Sequence, residues 1–195
     1  MSTARPADPR VSVRRVGPED WEVVRDLRLR ALRDAPAAFE STYEGEQGRS
    51  GKEWRAWLTR PTGVTVVATL NGQPAGLAGG YVEEAGHLEL VSMWVTPSAR
   101  GSGVADALVA EVVHWARMRD VHEVRLWVTR GNDVAERLYS RHGFVRSGQT
   151  QPLPPTHPCV DEIGMRLVLS DDPPDASAVR RDPDGGRVVG QGRCG

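Results

Sequence analysis

The sequence predicts a mixed α/β layered fold, a central mixed β-sheet flanked by helices, on three observations. Short runs of apolar and polar alternation are interleaved with amphipathic stretches of 3.6-residue period. Asn71-Gly72 separates two strand-like runs, the strongest short hairpin signal. A glycine-rich turn, Ala99-Arg100-Gly101-Ser102-Gly103, joins an apolar strand pattern to an apolar helix pattern.

The elements follow in order. Val11 to Val16 alternates as a strand does, and Gly17-Pro18-Glu19-Asp20 opens a helix with Asp20 as its N-cap. Trp21, Val24, Leu27, Leu29 and Leu32 follow at helical spacing until Pro36 ends the helix. Residues 39–60 hold Tyr43, Trp54 and Trp57 among charges and predict a second helical region. Residues 63–69 and 74–81 form the hairpin around Asn71-Gly72, and 87–95 form a strand stopped by Thr96-Pro97. Val104, Leu108, Val109, Val112, Val113 and Ala116 predict a helix over about 103–118. A strand at 123–129, a short helix at 132–141 stopped by Gly143, a strand from Phe144 and a last strand at 162–169 complete the order β-α-α-β-β-β-α-β-α-β-β. There is no internal repeat.

A chain of 195 residues suits one domain, placed at 11–169. Residues 1–10 and the Asp-, Pro-, Gly- and Arg-rich stretch 170–195 are expected to be disordered. With 39% hydrophobic and 26% charged residues and a net charge of -1, nothing suggests a surface for nucleic acid. No apolar run approaches the roughly 18 residues of a membrane span, and MSTARPADPR lacks the apolar segment of a secretory signal, so a cytoplasmic protein without membrane attachment is expected. Cys159 and Cys194 have no metal-ligand spacing, so neither a metal site nor a disulfide framework is expected.

The glycine turn carries the chemistry. A strand that ends in glycines and feeds a helix leaves backbone N–H groups unpaired where the helix dipole adds positive charge, which makes an anion site. Gly101 and Gly103 let the backbone approach a ligand, Arg100 adds a charge, and a diphosphate fits such a cradle. A dinucleotide fingerprint needs a third glycine where Ala105-Asp106 stands, and a P-loop needs Lys-Ser/Thr, so both nucleotide folds lose support. A tight turn with no ligand is the alternative that the turn alone leaves open.

Arg100-x-x-Gly103-x-Ala105, after a strand ending Val95-x-Pro97, resembles the Q/R-x-x-G-x-G/A signature of the GNAT family of N-acetyltransferases. A second family signature is matched by Asn132, Ala135, Leu138-Tyr139 and Gly143-Phe144 in NDVAERLYSRHGF. The resemblance covers about Val11 to Leu169 and implies central strands that splay apart, with acetyl-CoA as cosubstrate. It implies that Met93, Trp94 and Val95 meet the pantetheine arm, Met93 and Val95 through their backbone, while Arg100, Gly101, Ser102, Gly103, Val104 and Ala105 wrap the diphosphate. It implies that Asn132 hydrogen-bonds the pantetheine, although an N-cap role also fits it. Tyr139 would protonate the departing thiolate. Asn132 and Tyr139, seven positions apart, can address one ligand.

The base is sought among carboxylates. Glu89 lies eleven residues before Arg100, the place of the base in the histone-acetylating branch of the family, and strict alternation along LELVSMWV puts Glu89, Val91, Met93 and Val95 on one face. Glu44 and Glu46 stand where the family builds its acceptor wall. Tyr43, Trp54, Trp57, Tyr81 and Trp127 divide between that pocket and the core. The loop Pro152 to Pro158, with Thr156 and His157, would close over the acceptor. The function implied is acetyl transfer from acetyl-CoA to a primary amine by direct attack, in a chain that family members often pair into a homodimer. The competing readings are a non-catalytic acyl-CoA-binding regulatory domain and, more distantly, an NADP-dependent reductase.

Overall fold

The computed structural model describes residues 10–83, 86–152 and 161–169. The expected disorder at both ends lies outside them except for Arg10, as do residues 153–158 of the acceptor loop and both cysteines. The strands are β1 (Val11–Arg15), β2 (Gly63–Leu70), β3 (Gln73–Val82), β4 (His87–Val95), β5 (Glu123–Thr129), β6 (Val145–Pro152) and β7 (Asp161–Val168). The helices are α1 (Trp21–Asp34), α2 (Tyr43–Gln47), α3 (Gly51–Leu58), α4 (Val104–Arg117) and α5 (Asp133–Arg141).

One sheet runs in the order β1-β2-β3-β4-β5-β7-β6. Neighbours are antiparallel except β4 and β5, which are parallel because α4 carries the chain across the sheet between them. The last strand is inserted between β5 and β6. Ile163 and Met165 of β7 are buried, whereas β6 is largely exposed, so the more apolar strand takes the interior place and the polar one the edge. The β2–β3 turn has Asn71 at φ 51° and Gly72 at φ 81°, the two positive values a tight hairpin needs.

Helix α4 packs one face of the sheet, where Val104, Leu108, Val109 and Val112 meet Val66, Ala68, Leu88 and Leu90. The other face carries α1, whose Val24, Leu27 and Ala31 meet Val67, Leu77 and Trp94, with Trp57 and Leu58 of α3 against them. The helical region expected over 39–60 is two helices, α2 capped by the Thr42 hydroxyl and α3 by a Ser50/Glu53 capping box. Asp20 stands at the N-cap of α1 and makes no capping bond. Its carboxylate instead accepts from Arg14 at 2.8 and 2.6 Å and from the Gly17 N–H at 3.2 Å. A bidentate guanidinium is a stronger donor than a helix amide, and it wins.

Candidate active site

The two parallel strands part early. They pair at His87 with Glu123, Leu88 with Val124 and Glu89 with Arg125; beyond these, β4 follows β3 to Val95 and β5 follows β7 to Thr129. A gap with backbone on both walls opens beyond Glu89.

A bulge shapes the β4 wall. Leu77 pairs with Trp94 and Gly79 with Val91, so β4 holds one residue more than β3 here, and Ser92 sits at φ 57°, in the left-handed region. The extra residue reverses the alternation, which corrects the expected single face. Leu88, Leu90 and Val95 belong to the α4-side core with Met93 against it, while Trp94 points to α1. Glu89, set between Leu88 and Leu90, therefore faces the side opposite Met93 and Val95.

A cavity of about 1000 Å³ joins these parts. Its wall includes Glu46, Glu89, Met93, Asn132 and Tyr139, together with Trp57, Tyr81 and Trp127. Glu44 is exposed on α2 outside that wall, and Trp54 is wholly buried in the core. Glu89 is 8% exposed and has no hydrogen-bonding or ionic partner among the described residues. Burial first, then the negative charge of Glu83, lifts its carboxyl to about 7, against the opposing pull of Arg125. A carboxylate with that affinity is matched to taking a proton near neutrality.

Tyr139 is 5% exposed, and its ring meets Phe144 edge to face at 5.7 Å. Burial raises its phenol, so it is a neutral proton donor at physiological pH. Asn132 caps α5, its Oδ1 accepting from the Ala135 N–H at 3.1 Å, which leaves its amide NH₂ to donate.

Glu46 has another task. Arg28 donates to its two oxygens at 3.2 and 3.1 Å and Ser41 at 2.6 Å. Burial pushes its carboxyl up, but these bonds and the charges of Arg28 and Arg49 outweigh burial and hold it below its ordinary value. It is fixed as a carboxylate paired to Arg28, unlike the unpaired Glu89. Arg28 also donates to the Ser92 hydroxyl at 3.1 Å, so the pair braces the bulge. Sequence reasoning passed over Arg28. A charge among Val24, Leu27, Ala31 and Leu32, on the buried stripe of α1, is the signal that points to it.

The glycine turn lies beside the cavity, outside its wall. Gly101 and Gly103 have φ of 78° and 85°, and a Cβ at either would meet nothing within 4 Å, so the cradle is open. Gly103 is the N-cap of α4 and offers no side-chain cap, leaving the first-turn amides of a 14-residue helix for a ligand. This fits a diphosphate. Ser102 turns inward, its hydroxyl donating to the Ala99 carbonyl at 2.6 Å. Arg100 pairs with Asp34 at the end of α1 and donates Nε to the Val95 carbonyl at 3.3 Å, and Asp34 also accepts from the Trp94 indole at 2.9 Å. Asp106, in the first turn of α4, accepts from Arg141 at 2.6 and 2.7 Å and contacts His142 at 3.0 Å, tying the turn to the helix of Tyr139. No group of three or more His, Cys, Asp or Glu is arranged to hold a metal among the described residues. No helix among them is long and apolar enough to cross a membrane.

The seven-stranded mixed sheet with its flanking helices is a fold that this chain shares with solved acetyltransferases. A Streptococcus pneumoniae acetyltransferase of the GNAT family superposes with a TM-score of 0.68 at 20% identity, over 83% of this chain and all of the other. A Salmonella typhimurium structure with its cofactor acetyl-CoA gives 0.69 at 20% identity, over 85% and 98%. The sequence pattern of the acetyltransferase (GNAT) family matches residues 23–144, more than half of the chain, which therefore belongs to that family. An uncharacterized N-acetyltransferase of Methanocaldococcus jannaschii is 26% identical over 144 residues, 68% of this chain and 60% of its own length. The N-acetylaspartate synthetase of Danio rerio is 35% identical over 98 residues, 49% of this chain and 35% of its own. The chain thus spans 60% of one of these two relatives and 35% of the other.

Proposed function

We propose that the protein is an N-acetyltransferase that moves the acetyl group of acetyl-CoA to a primary amine by direct attack in a ternary complex. The observation that carries this is the placing of a buried Glu89, without a partner among the described residues, and a neutral, buried Tyr139 in one cavity at the parting of β4 and β5. Acetyl-CoA supplies the acetyl group as a thioester; the Salmonella typhimurium structure of the same fold has acetyl-CoA as its cofactor.

The amides of Gly103, Val104 and Ala105 would hold the diphosphate, with Gly101 giving the backbone its approach. Arg100 acts chiefly through Asp34, fixing the turn against α1. The Met93 and Val95 backbone would meet the pantetheine arm as a strand edge does, and N–H groups at the bulge would receive the thioester carbonyl oxygen as it gains charge. Asn132 would donate its amide to the same arm. Glu89 accepts the proton lost by the attacking nitrogen as the N–C bond forms. Tyr139 donates its hydroxyl proton to the sulfur as the C–S bond breaks.

The test is thiol release from acetyl-CoA over a panel of primary amines. Amine-dependent release supports the reading. Acetyl-CoA binding with no release on any amine contradicts it and favours a binding module.

A further inference from the structure

Four residues surround Glu89 on its own face of the sheet. β3 sets Tyr81 directly opposite it and β5 sets Arg125 beside it, while His87 and Val91 stand two residues away on either side along β4. Residues in register, and residues two apart on one strand, share a face, so these side chains lie together on the side away from Met93 and Val95. All of them line the cavity.

Of the four, only Tyr81 offers an oxygen that no other described residue uses. Arg125 is a donor without an acceptor, and it already meets Glu123. The His87 Nε2 lies 3.0 Å from a Glu83 oxygen, and its Nδ1 is buried. Val91 is apolar, and Gly79, opposite it on β3, has no side chain. The Tyr81 hydroxyl makes no hydrogen bond with another described residue; burial, and next the charge of Glu89, raise it, so it is a neutral phenol at physiological pH. Side chains stand roughly perpendicular to a sheet, and a phenol extends further than a glutamate. Tyr81 is accordingly 36% exposed where Glu89 is 8%. Its oxygen stands above the carboxylate, at the level of a nitrogen bonded to that carboxylate.

We propose that Tyr81 orients the acceptor, its oxygen accepting the second N–H of a primary amine whose first N–H faces Glu89, and that this bond selects primary over N-alkylated amines. The inference rests on the acetyl-transfer reading above and says which amines that reaction serves. A neutral primary amine has one lone pair and two N–H groups. The lone pair forms the new N–C bond, and one N–H loses its proton to Glu89. The other N–H stays on the amide product, while the sulfur leaves with the proton of Tyr139. Inside the cavity that second N–H is costly unless it is paired. A secondary amine has none to offer, so Tyr81 contributes nothing to its reaction.

The test compares each primary amine of the panel that releases thiol with its N-methyl derivative, as butylamine with N-methylbutylamine, on the full native chain and on Tyr81→Phe. The variant keeps the ring and removes a hydroxyl that bonds to no other described residue, so the fold is not at stake. Its kcat/KM is expected to fall about tenfold for the primary amine and less than about threefold for the N-methyl amine, with the acetyl-CoA dissociation constant unchanged. Equal losses for the two amines, or a primary-amine value within about threefold of the native one, overturn the role of Tyr81 and leave acetyl transfer standing. Where the N-methyl amine does not react with the native chain, the primary amine decides alone. Thiol release with no amine of the panel overturns acetyl transfer, and the role of Tyr81 with it.

Discussion

Arg28 of α1 donates to the hydroxyl of Ser92 across 3.1 Å, joining a buried ion pair to the one residue of β4 whose backbone is left-handed. The strand wall that faces the gap is thus braced from behind by Glu46, Ser41 and Arg28. Removing one partner leaves an uncompensated charge in the core. Arg28→Met should lose about 3–5 kcal/mol of unfolding free energy in denaturant titrations. Arg28→Met combined with Glu46→Met should recover most of it, and a single variant within about 1 kcal/mol of the native chain contradicts the bracing role.

Glu89 ties activity to pH. Its carboxyl is lifted to about 7, so kcat/KM should climb as pH rises through 7 and level off above it, once the carboxylate can take a proton. Glu89→Gln should lower the plateau by about 10²–10⁴-fold and flatten this limb. An unchanged profile in the variant removes Glu89 from the reaction.

The same residue sets a stability slope. A carboxyl whose folded affinity for protons exceeds its unfolded value costs the fold whenever it is ionised. The penalty grows between about pH 4.5 and 7 and is complete above, on the order of 3 kcal/mol. Asp106 runs the other way, held near 2 chiefly by the Arg141 hydrogen bonds and, against burial, by His142. Its contribution is present above its ordinary value near 3.8 and disappears as pH falls through about 2. Relative to the native chain, Glu89→Gln should therefore gain stability from pH 4 to 8, and Asp106→Asn should lose its handicap from pH 4 to 2. Thermal unfolding across those ranges checks both signs.

The glycine turn separates backbone from side-chain effects. A Cβ at Gly103 meets no atom within 4 Å, but Gly103→Val must adopt φ near 85°, so it disturbs the cradle's backbone at a cost of about 1–2 kcal/mol. It should raise the KM for acetyl-CoA by about tenfold or more. Ser102→Ala loses an inward bond to Ala99 and should change that KM by less than about threefold. The reverse ranking would place recognition in side chains.

Much of this was legible in the sequence because local signals decide local structure. The Asn71-Gly72 hairpin, the period of α4, the glycine turn and the Asn132 cap are all fixed within a few residues of themselves. The bulge at Ser92 was not, because alternation assumes one residue per step and a left-handed serine leaves no mark in composition. Its consequence is large, since it sends Glu89 to the face opposite Met93 and Val95. The Arg28–Glu46 pair spans separate helices, and only the tertiary fold discloses that Glu46 is committed to a guanidinium. Asp20 carried the right letter for a cap and lost that role to Arg14, a competitor six residues earlier on β1. The place of β7 follows from which strand buries better, a comparison the linear order does not make.

The central claim is that Glu89 and Tyr139 work on one reaction at the parting of β4 and β5. Thiol release from acetyl-CoA, measured with and without amine for the native chain and for Tyr139→Phe, tests it most directly. The account predicts release that requires the amine and falls by about 10²-fold or more in kcat when the phenol is removed, with the acetyl-CoA dissociation constant little changed. Acetyl-CoA bound as tightly by both proteins, with no amine-dependent release by either, would contradict it.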